Sequence, residues 1–378
     1  MRRFLKIVGL VVVSLVALLG LSIAGALTYR SHLQHEHSVA LRIRGAHGID
    51  ESRFVEIGGL RQWLQIRGED RDNPVLLFVH GGPALSMIPF TYRSMRAWES
   101  YFTIVQWDQR GAGRTYLLNG GADTTAAGMT QIIADGARVA EFARQYLHKE
   151  RIILVGESWG SGVALEMARA RPDLFYAYVG TGQIVNMRRG EVLTYGLLLD
   201  RVRAEHDEHS ARQLSSIGPP PYADSKVRTT EQLILGRHPP NSERGWGMGV
   251  DFLTAPGYTL RESFQLIGGA TQHRSGLVRD AENYDAPSRG ARFQVPIFFF
   301  QGAEDIQAPT QLVADYLQQI EAPSKTLVLF PQGGHNAYYF FSARFLEELN
   351  ARVRPLALAA RVPDSRVPGC IRASSCGN

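Results

Sequence analysis

Cysteine is nearly absent from this 378-residue chain: there are two, Cys370 and Cys376, both close to the C-terminus. A disulfide framework is therefore excluded as the organiser of the fold, and neither thiol is placed to act as a nucleophile. In an oxidising compartment the pair can close a small loop; otherwise it is two thiols in a tail. No tract is of low complexity and no segment repeats, which excludes solenoids and propellers. No stretch concentrates positive charge either. The 41 Lys+Arg against 36 Asp+Glu leave a net charge of +5, and they are scattered, so the footprint of a nucleic-acid binder is missing. Metal-ligand spacing is equally scarce. His32, His35 and His37 surround Glu36, and that cluster reads as an exposed linker rather than a metal site. No metal or organic cofactor is expected.

One long hydrophobic run is present. Arg2, Arg3 and Lys6 precede uncharged apolar sequence from Ile7 to Leu27, about the length needed to cross a bilayer as a helix. Positive charge on its N-terminal side predicts a cytoplasmic N-terminus with the rest of the chain outside. Ala24-Gly25-Ala26 also fits a signal-peptidase site. The run exceeds a usual signal core, which favours an uncleaved anchor. The expectation is a membrane-anchored protein with its folded domain outside the cytoplasm, or an exported one if the segment is cleaved.

Beyond a linker, Phe54–Ile57 and Leu60–Ile66 alternate around Gly58-Gly59 and predict a β-hairpin. Val75–Val79 is apolar without a polar face, as suits a strand buried on both sides of a parallel sheet. Phe102–Trp107, Ile152–Val155, Pro296–Phe300 and Thr326–Phe330 repeat the pattern. Helical patterns at Met129–Leu147, Val163–Ala170 and Ala343–Val353 alternate with them, which predicts a doubly wound α/β sheet. From Val185 to Pro287 the rhythm breaks into helix-like patches, such as Glu191–Ala204, with Pro219-Pro220-Pro221 between them. This stretch is expected to form a helical cap over the strand ends, where open α/β sheets bind ligands. The expected organisation is an anchor or signal over 1–30, a linker over 31–50, core over 51–184, cap over 185–290, core again over 291–356 and a tail over 357–378.

The chemistry centres on Gly156-Glu157-Ser158-Trp159-Gly160. A G-x-S-x-G match alone is weak, but this one follows the strand Ile152–Val155 and precedes a helix. That is the strand–elbow–helix setting that lifts a serine hydroxyl above a sheet, with room for little beyond hydrogen at positions 156 and 160. A hydroxyl needs a base to become nucleophilic, and in this setting the acid and then the histidine follow in chain order. Strand Pro296–Phe300 runs into Gln301-Gly302-Ala303-Glu304-Asp305; strand Thr326–Phe330 runs into Pro331-Gln332-Gly333-Gly334-His335. Ser158, Asp305 and His335 are the predicted triad, with Asp305 preferred to its neighbour Glu304. His80 precedes a loop on the first buried strand, and His206, His209 and His238 fall in the cap, so these fit worse. The oxyanion of a tetrahedral intermediate needs fixed N–H donors; the amides of Trp159 and of Gly82 in His80-Gly81-Gly82-Pro83 are the predicted pair. A histidine base predicts activity that falls on acidification, with a midpoint near neutral or slightly below.

His80–Pro83, Trp107-Asp108-Gln109-Arg110-Gly111-Ala112-Gly113-Arg114 and Gly156–Ser161 together resemble the proline iminopeptidase (prolyl aminopeptidase) branch of the α/β-hydrolases. The likeness covers roughly Gly58 to Ile184 and Pro296 to Arg354, with Ala84 where the family commonly has glycine. It implies removal of an N-terminal residue, often proline, from short peptides, and cap glutamates that hold the free amine: Glu191, Glu243 and Glu262 are the candidates. Asp108–Arg114 would be a structural turn beside the oxyanion loop. Two other readings stay open, a carboxylesterase or lipase-like hydrolase of small esters and a non-enzymatic binding protein of hydrolase shape.

Overall fold

The continuous apolar runs become strands of a single sheet. The computed structural model describes residues 1–120, 128–222, 224–272, 277 and 280–359. Cys370 and Cys376 therefore lie outside the described residues, as does most of the expected tail. Eight strands form, β1 (Ile49–Ile57), β2 (Leu60–Gly68), β3 (Val75–Val79), β4 (Thr103–Asp108), β5 (Ile152–Glu157), β6 (Phe175–Thr181), β7 (Ile297–Gly302) and β8 (Lys325–Phe330). Their order is β1-β2-β4-β3-β5-β6-β7-β8. β2 pairs antiparallel with β1 and β4, and every other pairing is parallel.

Side chains alternate across this sheet with the period of two that a strand imposes. Val75, Leu77 and Val79 face one apolar cluster with Ile152, Leu154, Ile297 and Phe299. Leu76 and Phe78 face the other with Ile153, Val155, Phe298 and Phe300. Both faces are covered, which is why these strands carry no polar face in sequence. Before the sheet comes α1 (Arg2–Ala40); α2 (Ile88–Thr91) follows β3, and α3 (Gly113–Asn119) and α4 (Met129–Tyr146) follow β4. Next, α5 (Trp159–Ala170) follows β5. The cap helices α6 (Met187–Ala204), α7 (Glu208–Ile217), α8 (Ser225–Arg237), α9 (Gly247–Thr254) and α10 (Leu260–Gln272) lie between β6 and β7. Then come α11 (Thr310–Gln319) after β7, and α12 (Ala337–Phe340), α13 (Ser342–Glu348) and α14 (Arg354–Ala359) after β8. Helices α4, α5 and α11 cover the first cluster, while α13 and Trp98 cover the second.

Three elements differ from the sequence expectation. β6 was not among the expected strands: its residues Phe-Tyr-Ala-Tyr-Val-Gly-Thr hold two tyrosines and a glycine, yet β5 and β7 flank it and bury most of it. The helix expected over Ala343–Val353 is divided, with a π-helical turn at Leu349–Val353 before α14, where Pro355 lacks the N–H a continuous helix needs. The expected linker over 31–50 is helical as far as Ala40. Tertiary contact explains the last. Arg30, Leu33, Gln34 and His37, at one-face helical spacing, are partly covered by the domain, and Arg30, Gln34 and His37 bond to backbone carbonyls at the end of α9 and just beyond it. Residues 2–29 of α1 are exposed along their whole length. This helix is long and apolar enough to cross a membrane. His32, His35 and His37 are dispersed around it, His32 toward Glu36 and His37 onto Tyr92. No three potential ligands converge on a metal position among the described residues.

Candidate active site

Parallel strands end on the same edge of a sheet, so loops after β3, β5, β7 and β8 meet in one place. β5 ends at Glu157 and α5 begins at Trp159, leaving Ser158 alone to turn the chain. Its φ of 51° is in the left-handed region, strained for a residue with a side chain. The close quarters predicted for the flanking glycines are present. A Cβ at position 160 would lie 2.1 Å from the Val79 carbonyl oxygen, and one at position 156 would lie 2.7 Å from the Ala164 Cβ.

The structure brings Ser158, His335 and Asp305 together. His335 Nε2 is 2.8 Å from Ser158 Oγ, and Nδ1 is 3.0 and 3.2 Å from the two Asp305 oxygens. Asp305 is buried and held from several sides: Oδ1 accepts from the Gln307 and Ala308 amides, and Oδ2 from Gln301 Nε2. Glu304, by contrast, is exposed. Burial alone would disfavour a charged imidazole. Asp305, with Glu157 and Glu243 farther out, overrides it and pushes His335 up to about 9. His80 is a different case. It is buried and pushed down to about 4 by desolvation. Its Nε2 accepts from the Gln109 amide at 3.2 Å, so the Nδ1 proton goes to the Gly81 carbonyl oxygen, 2.7 Å away. It is a neutral scaffold residue.

Around the serine, Gly82 and Ser158 line one cavity, and Trp159 is the first residue of α5, where helix amides have no acceptor within the helix. The two loops are tied together. Gln109 donates from Nε2 to the His80 carbonyl oxygen at 2.7 Å and accepts from Trp159 Nε1 at 3.2 Å. Glu157 Oε2 accepts the Gly81 amide at 2.7 Å. The Asp108 carboxylate folds the following turn by accepting from the Arg114 amide at 2.7 Å. Ala84 takes a φ of 66°, the left-handed conformation that glycine adopts at little cost.

A profile of the α/β-hydrolase fold matches residues 74–342. The chain belongs to that family. Within it the chain is proline iminopeptidase-like. It is 29% identical over 308 residues to a Bacillus subtilis (strain 168) protein named probable aminopeptidase YbaC, spanning 79% of this chain and 95% of that one. It is 29% identical over 113 residues to proline iminopeptidase of Lactobacillus delbrueckii subsp. lactis, 30% of this chain and 37% of that relative. The solved proline iminopeptidase of Mycobacterium smegmatis superposes with a TM-score of 0.61 at 19% identity, over 82% of this chain and 100% of its own, which is a likeness of fold.

In this α/β-hydrolase the cavity at the serine is about 150 Å³ and is walled by Gly82, Ser158 and His335 on the core side and by Glu191, Arg228 and Glu231 on the cap side. A larger cavity of about 260 Å³ lies between the end of α1, β2 and the loop after α9, and contains none of the three residues. The cap glutamates have separate fates. Glu191 reaches the serine cavity but is paired with Arg228, which also holds Glu282. Glu262 turns back to cap its own helix through Thr259. Glu243 grips the loop that carries His335, accepting from the Gly334 amide at 2.6 Å and the Asn336 amide at 3.2 Å. Replacing Glu243 with alanine leaves two amides without their acceptor, at a cost on the order of 1–3 kcal/mol each. A lowered thermal unfolding midpoint is the expected reading, and an unchanged one would show the loop holding itself.

Glu231 was not singled out in the sequence. It sits mid-helix in α8, and neither spacing nor motif marks it. Its carboxyl bonds the Tyr222 hydroxyl, and its Oε1 is buried without a protein partner. Desolvation first, and the nearby Glu191 second, push it up to about 7.

Proposed function

We propose that this protein is a serine aminopeptidase that releases the N-terminal residue, proline or a similar one, from short peptides through an acyl-enzyme. The observation that carries the reading is the unbroken chain of contacts from Asp305 through His335 to the Ser158 hydroxyl, in a cavity whose opposite wall holds a carboxyl with one buried oxygen unpartnered. Ser158 Oγ attacks the scissile carbonyl carbon as His335 Nε2 takes its proton. The Trp159 and Gly82 amides receive the oxyanion. The imidazolium returns the proton to the leaving nitrogen as the C–N bond breaks. Water then attacks the acyl carbon, giving one proton to His335, and the Ser158 oxygen leaves with that proton. Asp305 keeps the Nδ1 proton directed away from the serine and stabilises the charged ring.

Glu231, assisted by Glu191, is proposed to hold the substrate's ammonium. A buried carboxyl with an empty acceptor and a raised pKa ionises readily once a cation arrives, so binding adds a counter-charge to that of Arg228, which already serves Glu191 and Glu282. The names of the relatives point the same way. Short peptides with a free amine are the expected substrates, because the cap closes over the cavity. Helix α1 is proposed to anchor the protein, with the hydrolase domain outside the cytoplasm.

Turnover of prolyl and alanyl arylamides, their amine-blocked counterparts and short acyl esters tests the reading. Free-amine amides should be strongly preferred, and Glu231→Gln should raise KM for them by tenfold or more, about 1.4 kcal/mol, while leaving ester hydrolysis near its original rate. Equal turnover of free and blocked amides would sink the aminopeptidase assignment and favour an esterase.

A further inference from the structure

Among the described residues, α1 is fastened to the cap around the end of α9. Arg30 Nε donates to the Leu253 carbonyl oxygen and Nη2 to that of Tyr258, both at 2.7 Å. Gln34 Nε2 donates to the carbonyl oxygens of Ala255 and Tyr258 at 2.7 and 2.9 Å. Terminal carbonyls of a helix need donors, and a cation suits that end of its dipole. The junction is therefore built into the fold. It also fixes a level. The apolar run ends at Leu27, and Arg30 lies about 4.5 Å farther along the axis, so the C-terminal end of α9 sits where α1 leaves hydrocarbon.

Running back from that end, α9 shows an apolar face to solvent. Trp246 is 86% exposed, Val250 41% and Leu253 45%. Their spacing of four and three residues puts them in one stripe, while Asp251, Phe252 and Thr254 face inward. Phe264 and Ile267, on the next helix, are also exposed. Of the five tryptophans, Trp98, Trp107 and Trp159 are buried and Trp63 is half-covered, so Trp246 alone is open.

We infer that the Trp246–Val250–Leu253 stripe lies in the lipid–water interface, seating the cap on the bilayer that α1 crosses. Tryptophan and leucine are apolar groups that an interfacial helix buries at the headgroup level. A second protein copy fits less well, since three side chains supply far less than the about 800 Å² per partner of a standard interface. Seated in this way, the cap turns toward the membrane a cavity of about 520 Å³ whose lining includes Trp246, His335 and Asp305. Peptides that partition into the interface would then meet the catalytic groups from that side.

The inference rests on α1 being a retained anchor, and the test separates the two. The full chain is reconstituted into phosphatidylcholine–phosphatidylglycerol vesicles, with and without bromine on the upper acyl chain. Flotation with the vesicles reports the anchor; failure to float removes the anchor and this proposal with it. In floated protein, bromolipid should quench a component of the tryptophan emission that is missing from Trp246→Phe. The double change Val250→Asp, Leu253→Asp should abolish that quenching with an unaltered circular dichroism spectrum. Floated wild-type protein quenched no more than Trp246→Phe overturns the docking. So does a Trp246 emission that ignores bromine but follows the protein-to-lipid ratio, because a second copy would then cover the stripe.

Discussion

Replacing Ser158 with alanine should reduce peptide turnover on the order of 10⁶-fold, with the protein still folded. The change takes one oxygen from the cavity wall and leaves the sheet core untouched. Because alanine keeps the Cβ, the strain at φ 51° is the same in both proteins. Thermal unfolding should therefore change little, while covalent labelling by a fluorophosphonate should vanish. The comparison also separates an enzyme from a binding protein of the same shape: Ser158→Ala should bind a free-amine peptide as the wild type does and fail to cleave it. Turnover within tenfold of the wild type would mean that the hydrolysis arises elsewhere, and the contact between His335 and Ser158 would lose its meaning.

The parts of this molecule legible in sequence are those dictated by backbone geometry. A strand buried on both faces favours apolar side chains along its length, and β3 and residues Ile152–Val155 of β5 have them. A turn pressed against the backbone of Val79 requires glycine, and position 160 has it. Because parallel strands deliver their loops to one edge, residues 158, 305 and 335 could be paired before any coordinates, and they do meet. β6 escaped because its neighbours bury it despite its tyrosines. Residues 31–40 were expected as linker because Ser31, His32, Gln34, His35 and Glu36 show no apolar periodicity; their helix is held by carbonyls of α9 more than two hundred residues away. Side-chain roles in the cap were the least legible. Glu191, Glu231, Glu243 and Glu262 are chemically identical, and only the fold decides that one pairs with arginine, one keeps a buried oxygen unpartnered, one holds the His335 loop and one caps a helix.

Asp305→Asn should lower kcat/KM by about 10⁴-fold and also move its pH dependence, for a reason the local bonds make specific. Oδ1 accepts from two amides, those of Gln307 and Ala308, at 2.9 and 2.8 Å. An asparagine can satisfy both only with its carbonyl oxygen, which places its NH₂ where Oδ2 now faces His335 Nδ1 at 3.0 Å. That NH₂ donates to Nδ1 and leaves the ring proton on Nε2, opposite the Ser158 hydroxyl, where a base has to be free. The same substitution removes the negative charge that most strongly opposes desolvation of the imidazolium. In the wild type that charge, with Glu157 and Glu243, holds His335 at about 9, above the 6.5 of an ordinary imidazole. The midpoint should then lie above the near-neutral value expected from sequence, with activity still rising as pH passes above neutrality. A protonated ring cannot accept the serine proton, so activity is lost as pH falls through the raised value. In Asp305→Asn the residual activity should persist to lower pH, because burial remains and the carboxylate does not. Profiles of kcat/KM against pH for the two proteins decide the matter. A loss smaller than tenfold, or two profiles with the same acidic midpoint, would show that Asp305 does not govern the protonation of His335.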